Sequence, residues 1–177
     1  MASQQELTDD RNQRFLELLE PIYKDCERWA YSRTQNRVDA QDVLQQSILT
    51  ALESFHQLKN EAAFKTWIFR IISNTHRLQI RQSKRSPDPV DPEILATAVS
   101  EVEEWTAQQE RSSVVRQVLS RLSEEQRNGL MLFEMFNFSI REIADILGKK
   151  EGAVRVLLHR ARDRVAAMFD EMKEDIR

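Results

Sequence analysis

Apolar residues recur at helical spacing through most of the chain, and no stretch alternates with the period of two that marks a strand. The first stripe is Phe15, Leu18, Leu19, Ile22, Cys26 and Trp29, with Pro21 predicting a kink or a restart inside it. A second helix is predicted with Asp39 as its N-cap. Its apolar side is Leu44, Ile48, Ala51, Leu52 and Phe55; its other side carries Asp42, Gln45 and Gln46, with Ser47 and Thr50 nearby. That side is polar but sparsely charged, which suits either a protein partner or plain solvent. A connector from His56 to Ala63 leads to a third helix, predicted from about Phe64 to Lys84. Phe64, Trp67, Ile68, Ile71, Ile72, Thr75 and Leu78 supply its packed side. Along another face Arg70, Asn74, Arg77, Arg81 and Lys84 recur at steps of four, three, four and three, with Trp67 and then Phe64 ahead of them. Aromatic rings at the head of a basic stripe suit single-stranded nucleic acid, where rings stack on bases and cations hold phosphates. The alternative is that Phe64 and Trp67 belong to the core.

The pattern then breaks. SPDPVDP, residues 86–92, holds three prolines and cannot continue a helix. Residues 86–110 read as an acidic linker, with a short helix predicted from about Pro92, between a first domain over 1–85 and a second over 111–177. In the second domain Val115, Val118, Leu119 and Leu122 start a helix. Ser123 and Gln126 have capping-box spacing, and Leu130, Phe133, Met135 and Phe136 add apolar bulk. From Ser139 the sequence SIREIADILGKKEGAVRVLLHRARDRV reads as a helix-turn-helix. Ser139 and Glu142 repeat the capping-box spacing, Ile143, Ala144, Ile146 and Leu147 form an apolar side, and Gly148 supplies the turn. A second helix runs from about Lys150 with Val154, Leu158, Ala161 and Val165 on one buried stripe. Lys149, Lys150, Arg155, His159, Arg160 and Arg162 lie off that stripe. An apolar back with a basic front is what a major groove accepts; an ordinary helical hairpin with a solvated basic face is the alternative.

Composition agrees with an all-α fold of two small helical domains. Gly and Pro number 3 and 4 in 177 residues, too few for the turns of an all-β protein. The net charge of −3 argues against nucleic acid only until it is divided: residues 87–110 carry 0 Lys+Arg against 7 Asp+Glu, while residues 1–86 and 111–177 each carry 13 against 11. Both flanks are therefore mildly positive. The N-terminus is polar, without the apolar core of a signal peptide, and no apolar run approaches the roughly 20 residues that span a bilayer, so a cytoplasmic location is expected. Cys26 is the single cysteine and excludes an internal disulfide; its neighbours predict a small buried thiol. His56, His76 and His159 are scattered, no glycine-rich phosphate loop occurs, and no nucleophile is paired with a base. Neither catalysis nor a metal or cofactor is expected.

Two stretches, in order, carry a family likeness. DAQDVLQQSILTALESFHQL with AAFKTWIFRIISNTHRLQIRQSKR resembles region 2 of bacterial sigma factors of the extracytoplasmic-function (ECF) group. LSRLSEEQRNGLMLFEMFNFSIREIADILGKKEGAVRVLLHRARDRV resembles their region 4. The resemblance implies a protein that binds core RNA polymerase, brings it to promoter DNA and helps open the duplex; it also makes an anti-sigma factor a candidate partner. It places Asp42, Gln45 and Gln46 against the polymerase clamp, with Gln46 standing where the family usually has an acid. It places Asn74 near a flipped-out base of the −10 element, Lys59, Asn60 and Phe64 in the loop before it, and Lys65, Trp67, Arg70 and Arg77 on the same reading helix. It sets Arg155, Val156, His159 and Arg160 toward the −35 element, with Lys149, Lys150 and Arg162 adding charge. Val156 and Leu157 depart from a Ser-Arg pair common in the family, and Glu151 has no evident role near phosphates. A two-domain helix-turn-helix regulator that never touches polymerase is the competing reading. It does not predict the Asp42–Gln46 face or the Arg70–Lys84 stripe.

Overall fold

The computed structural model describes residues 4–83 and 121–174. The chain divides into two compact units. The expected linker helix from Pro92, the helix opening at Val115, Val118 and Leu119, and Lys84 at the end of the basic stripe lie outside the described residues.

The first unit is built from α1 (Gln4–Leu19), α2 (Tyr23–Thr34), α3 (Arg37–Ser54) and α4 (Phe64–Ser83). Pro21 restarts the chain rather than kinking it: it opens a 3₁₀ turn over Glu20–Ile22, where its missing N–H costs nothing. The chain leaves α2 through Gln35, whose left-handed φ of 56° lets its N–H donate to Tyr31 O at 2.8 Å. The N-cap of α3 is then Asn36, not Asp39. Its side chain accepts from Val38 N at 2.9 Å and Asp39 N at 3.4 Å, and Asp39 falls in the first turn, where its charge meets the positive end of the helix dipole. The sharp exit at Gln35 decides between the two capable residues.

Three phenylalanines close one end of this core. Phe15, Phe55 and Phe64 meet edge-to-face with centroids 5.4, 5.5 and 5.9 Å apart, the geometry that ring quadrupoles favour. At the other end Trp29 stacks on Phe69 at 5.9 Å, and its indole N–H donates to Phe69 O and Ser73 Oγ, each at 3.2 Å. Phe69 is fully buried although the expected packed side omits it. Both α2 and α3 pack on α4, so its buried arc is wider than one stripe and takes in Phe69, Ser73 and His76. Leu78 falls outside that arc and is exposed. Ser47 corrects the α3 reading in the opposite sense: it is fully buried and donates to Val43 O at 2.6 Å, which satisfies its hydroxyl inside the core. The connector is held by Asn60, whose side chain caps a 3₁₀ turn over Glu61–Ala63 by accepting from Ala62 N at 3.0 Å, and by Arg14, which grips Glu61. That contact holds the Glu61 carboxyl below its ordinary range.

Farther along the chain come α5 (Glu124–Leu130), a π-helical turn over Met131–Met135, α6 (Ile140–Leu147) and α7 (Glu151–Glu174); all belong to the second unit except Asp145–Gly148, which is grouped with the first. Both capping boxes form. Ser123 Oγ accepts from Gln126 N while Gln126 Oε1 accepts from Ser123 N, and Ser139 and Glu142 make the same exchange. Gly148 takes φ 65°, and Lys149 N donates back to Ala144 O at 2.8 Å, ending α6 as the turn requires. Val154, Leu158, Ala161 and Met168 form the buried side of α7, which packs on α5; Leu132, Phe136, Phe138 and Ile143 are buried in the same unit. Met135, expected as core, is exposed at the end of the π turn.

Candidate functional site

In α3 the core positions Ala40, Val43, Leu44, Ser47 and Ala51 fall on one side. At 100° per residue Asp42, Gln45 and Gln46 share an arc of about 100° on the other. All three are exposed. The same arc holds Val38 and Leu49, exposed by 52% and 56%. Both were missed in the sequence because the face reads as polar, although Leu49 lies four residues after Gln45 and seven after Asp42. The face therefore offers amides, one carboxylate and two apolar side chains, the mixture found in protein interfaces rather than on nucleic-acid binders.

The same arithmetic sorts the residues of α4. Trp67, Arg70, Asn74, Arg77 and Arg81 occupy one arc of about 80° opposite the buried side. Asn74 and Arg81 are exposed; Trp67, Arg70 and Arg77 are half-buried. Phe64 does not belong with them. It is 3% exposed and enclosed by Phe15 and Phe55, so its ring has no free face for a base. It touches Trp67, at 5.9 Å between centroids, and so fixes that ring from behind. Lys65 also leaves the set. It points to the α2 side, where its Nζ meets Asp25 at 3.1 Å and its stem lies by the Phe69 ring. Asn60 spends its side-chain oxygen on the cap described above, while Lys59 is exposed.

In α7, Val156 and His159 fall farthest round the helix from the buried stripe, with Val156 51% exposed and the His159 side chain 76% exposed; Arg160 and Arg155 lie to either side of them. Arg155, His159 and Arg162 line a groove whose other wall is Phe133 and Ile140. The Arg162 guanidinium sits over the Phe133 ring, 4.7 Å from its centroid, and donates to Glu134 at 2.8 Å. Arg155 reaches Glu151 at 3.2 Å and His159 reaches Asp163 at 2.6 Å. Lys149 is tied to Glu125 at 2.8 Å, across the unit from the turn it follows. Lys150 is exposed and its carbonyl accepts from Val154 N, which makes it the residue on which α7 starts. The Arg155–Glu151 and His159–Asp163 pairs follow i,i+4 helical spacing, whereas Lys149–Glu125 and Arg162–Glu134 join residues 24 and 28 apart, beyond its reach.

The Sigma-70 region 2 family model matches residues 18–86, and the Sigma-70 region 4 model matches residues 112–165. The ECF RNA polymerase sigma factor SigM of Mycobacterium tuberculosis is 31% identical over 155 residues, covering 88% of this chain and 76% of SigM. The chain belongs to the ECF sigma factors of RNA polymerase. The ECF sigma-E factor of Salmonella typhimurium is 28% identical over 137 residues, covering 72% of each chain. Among solved structures, the sigma factor RpoE from Bartonella quintana, in complex with the anti-sigma factor NepR, is similar with a TM-score of 0.67. That likeness spans 89% of this chain and 98% of RpoE at 20% identity. Sigma factors are transcription initiation factors, and this one binds core polymerase and directs it to promoters. The polymerase-independent regulator is set aside, because it gives no reason for a region 2 match across α2–α4. Among the described residues no helix is long and apolar enough to cross a membrane.

Proposed function

We propose that this sigma factor docks on core polymerase through Asp42, Gln45 and Gln46 of α3, and reads and holds the melting −10 element with α4. The −35 element is read by α7, where Val156 and His159 face outward with Arg155 and Arg160 beside them. The observation that carries the proposal is the arc of α4, on which Trp67, Asn74, Arg70, Arg77 and Arg81 share one side while the opposite side is packed core. An amide can pair donor and acceptor with a base edge; an indole can stack; guanidinium groups position the backbone without specifying sequence. Phe64 supports this surface from the core, and Lys65 positions α4 against α2. Residues 1–85 and 111–177 act as the two promoter-reading domains, with 86–110 as their linker. The work is done in the cytoplasm, where polymerase and DNA are, and it needs no cofactor or catalytic group. An anti-sigma factor is a further partner class, one whose binding would compete with core polymerase for the same chain.

In-vitro transcription with purified core polymerase on a random promoter library tests the whole reading and yields the cognate promoter. Asn74→Ala should then lower open-complex formation on that promoter more than on a variant altered at the flipped base, by roughly 1–3 kcal/mol of discrimination. Equal loss on both promoters would make Asn74 a packing residue instead. Asp42→Lys should weaken core binding by about 2–5 kcal/mol with helix content unchanged; unaltered competition for core would remove α3 from the docking surface.

A further inference from the structure

The charges on the outward part of the second unit are paired in a way that DNA binding alone does not require. Arg155 ends on Glu151, Arg162 on Glu134, His159 on Asp163 and Lys149 on Glu125. Of the cations expected at the −35 element, only Lys150 and Arg160 have no carboxylate at ion-pair distance among the described residues. The pairs are exposed: the Arg155 and Glu151 side chains keep 61% and 46% of their surface, and Arg162 and Glu134 keep 50% and 55%. Exposed pairs of this kind add little to stability, so holding the fold together does not account for them.

We propose that Glu134 and Glu151 are specificity determinants, carboxylates that occupy the arginines of α7 until a correctly placed base edge or phosphate displaces them. The proposal rests on the assignment of α7 to the −35 element. Sequence-independent affinity comes from cations that replace the counterions of the phosphate backbone. A cation already neutralised by its own carboxylate has no such gain to make on arbitrary DNA. It must first break a hydrogen bond, and only a site offering a bidentate base edge or a well-aligned phosphate returns that loss. Glu151, anomalous beside phosphates on sequence grounds, then has a function. It keeps Arg155 from gripping any backbone it meets.

The test uses the full chain and a fluorescent pool of random-sequence duplex, titrated at several salt concentrations. Glu151→Gln and Glu134→Gln each remove one mask and preserve shape. One freed phosphate contact contributes a salt exponent of about 0.9, or about eightfold at 0.1 M salt. Each variant should therefore bind random duplex up to about eightfold more tightly, with a slope steeper by up to about one unit. Preference for the −35 sequence selected by the holoenzyme should fall by the same factor. Glu171→Gln makes the same charge change at the far end of α7, where Glu171 faces Arg121 at 3.6 Å, and should leave random binding within twofold. Lys150→Ala removes an unmasked cation and should weaken all binding. If Lys150→Ala weakens binding but the two glutamine variants do not tighten it, masking is wrong while α7 still faces DNA. If Glu171→Gln tightens binding as much as Glu151→Gln, net charge alone is at work and the proposal fails. If Lys150→Ala has no effect either, the assignment of α7 to DNA fails and takes the proposal with it.

Discussion

Replacing Phe64 by alanine separates a base-stacking residue from a core residue. The side chain is 3% exposed and meets Phe15 at 5.5 Å, Phe55 at 5.9 Å and Trp67 at 5.9 Å. Removing a buried phenylalanine ring costs about 3–5 kcal/mol, counting both the lost transfer energy and the cavity left behind. Whole domains are stable by only about 5–15 kcal/mol. The first unit should therefore lose about a fifth or more of its margin. At about 4–8 °C per kcal/mol for a domain of this size, its melting midpoint should fall by at least about 12 °C. Phe64→Leu keeps most of the volume and should cost about 1–2 kcal/mol. Trp67→Ala provides the contrast: a half-buried ring on the solvent arc should cost less stability and more open complex. The assay is urea unfolding of the full chain followed by circular dichroism, with open-complex formation measured well below the melting point. If Phe64→Ala stays within about 1 kcal/mol of the parent in stability but loses −10 binding, the ring faces DNA and the packing argument is wrong.

Leu49→Lys places a charge on the docking arc without touching the core; it should weaken competition for core polymerase about three- to tenfold, since roughly half a leucine side chain is there to be buried. An unchanged affinity in a variant whose Asp42→Lys counterpart is impaired would confine the interface to polar residues. Cys26 is fully buried, and burial pushes its thiol up to about 12, so at pH 8 the reactive thiolate is scarce. A chromogenic thiol reagent should therefore react only on unfolding, and fast reaction of the native chain would place Cys26 at the surface.

What the sequence made legible was local. The Ser123–Gln126 and Ser139–Glu142 boxes and the turn at Gly148 each depend on residues within a few positions, and each formed as expected. The α3 cap was misassigned because Asn36 and Asp39 are both competent and the deciding fact is the backbone at Gln35, just before them. The width of a buried arc was not legible. A periodic pattern marks the centre of a packed face, but how many neighbours enclose it is a tertiary fact, and Phe69, Ser47, Leu78 and Met135 all sit near such an edge. The long-range ion pairs of the second unit, Lys149–Glu125 and Arg162–Glu134, were invisible for the same reason, whereas Arg155–Glu151 and His159–Asp163 sit at i,i+4 spacing that the sequence displays.

Leu157 shows how one such tertiary fact changes a functional reading. By sequence it stands where an arginine is common in the family, which suggests a lost contact to DNA. In the structure it is half-buried and turned toward α5, where a Cβ built on Gly129 would come within 2.9 Å of its Cδ2. Gly129 has no such atom, so α5 and α7 close together with Leu157 filling the seam. Val156, the next residue round the helix, is exposed on the outward face. The pair thus divides its work between packing and contact. An arginine at 157 would have to carry a long stem past Gly129 before its charge reached solvent. The substitution therefore changes the seam between α5 and α7 first, and −35 recognition through the orientation of α7. On the proposed assignment of α7 to the −35 element, the base edges themselves would be left to Val156, Arg155 and His159.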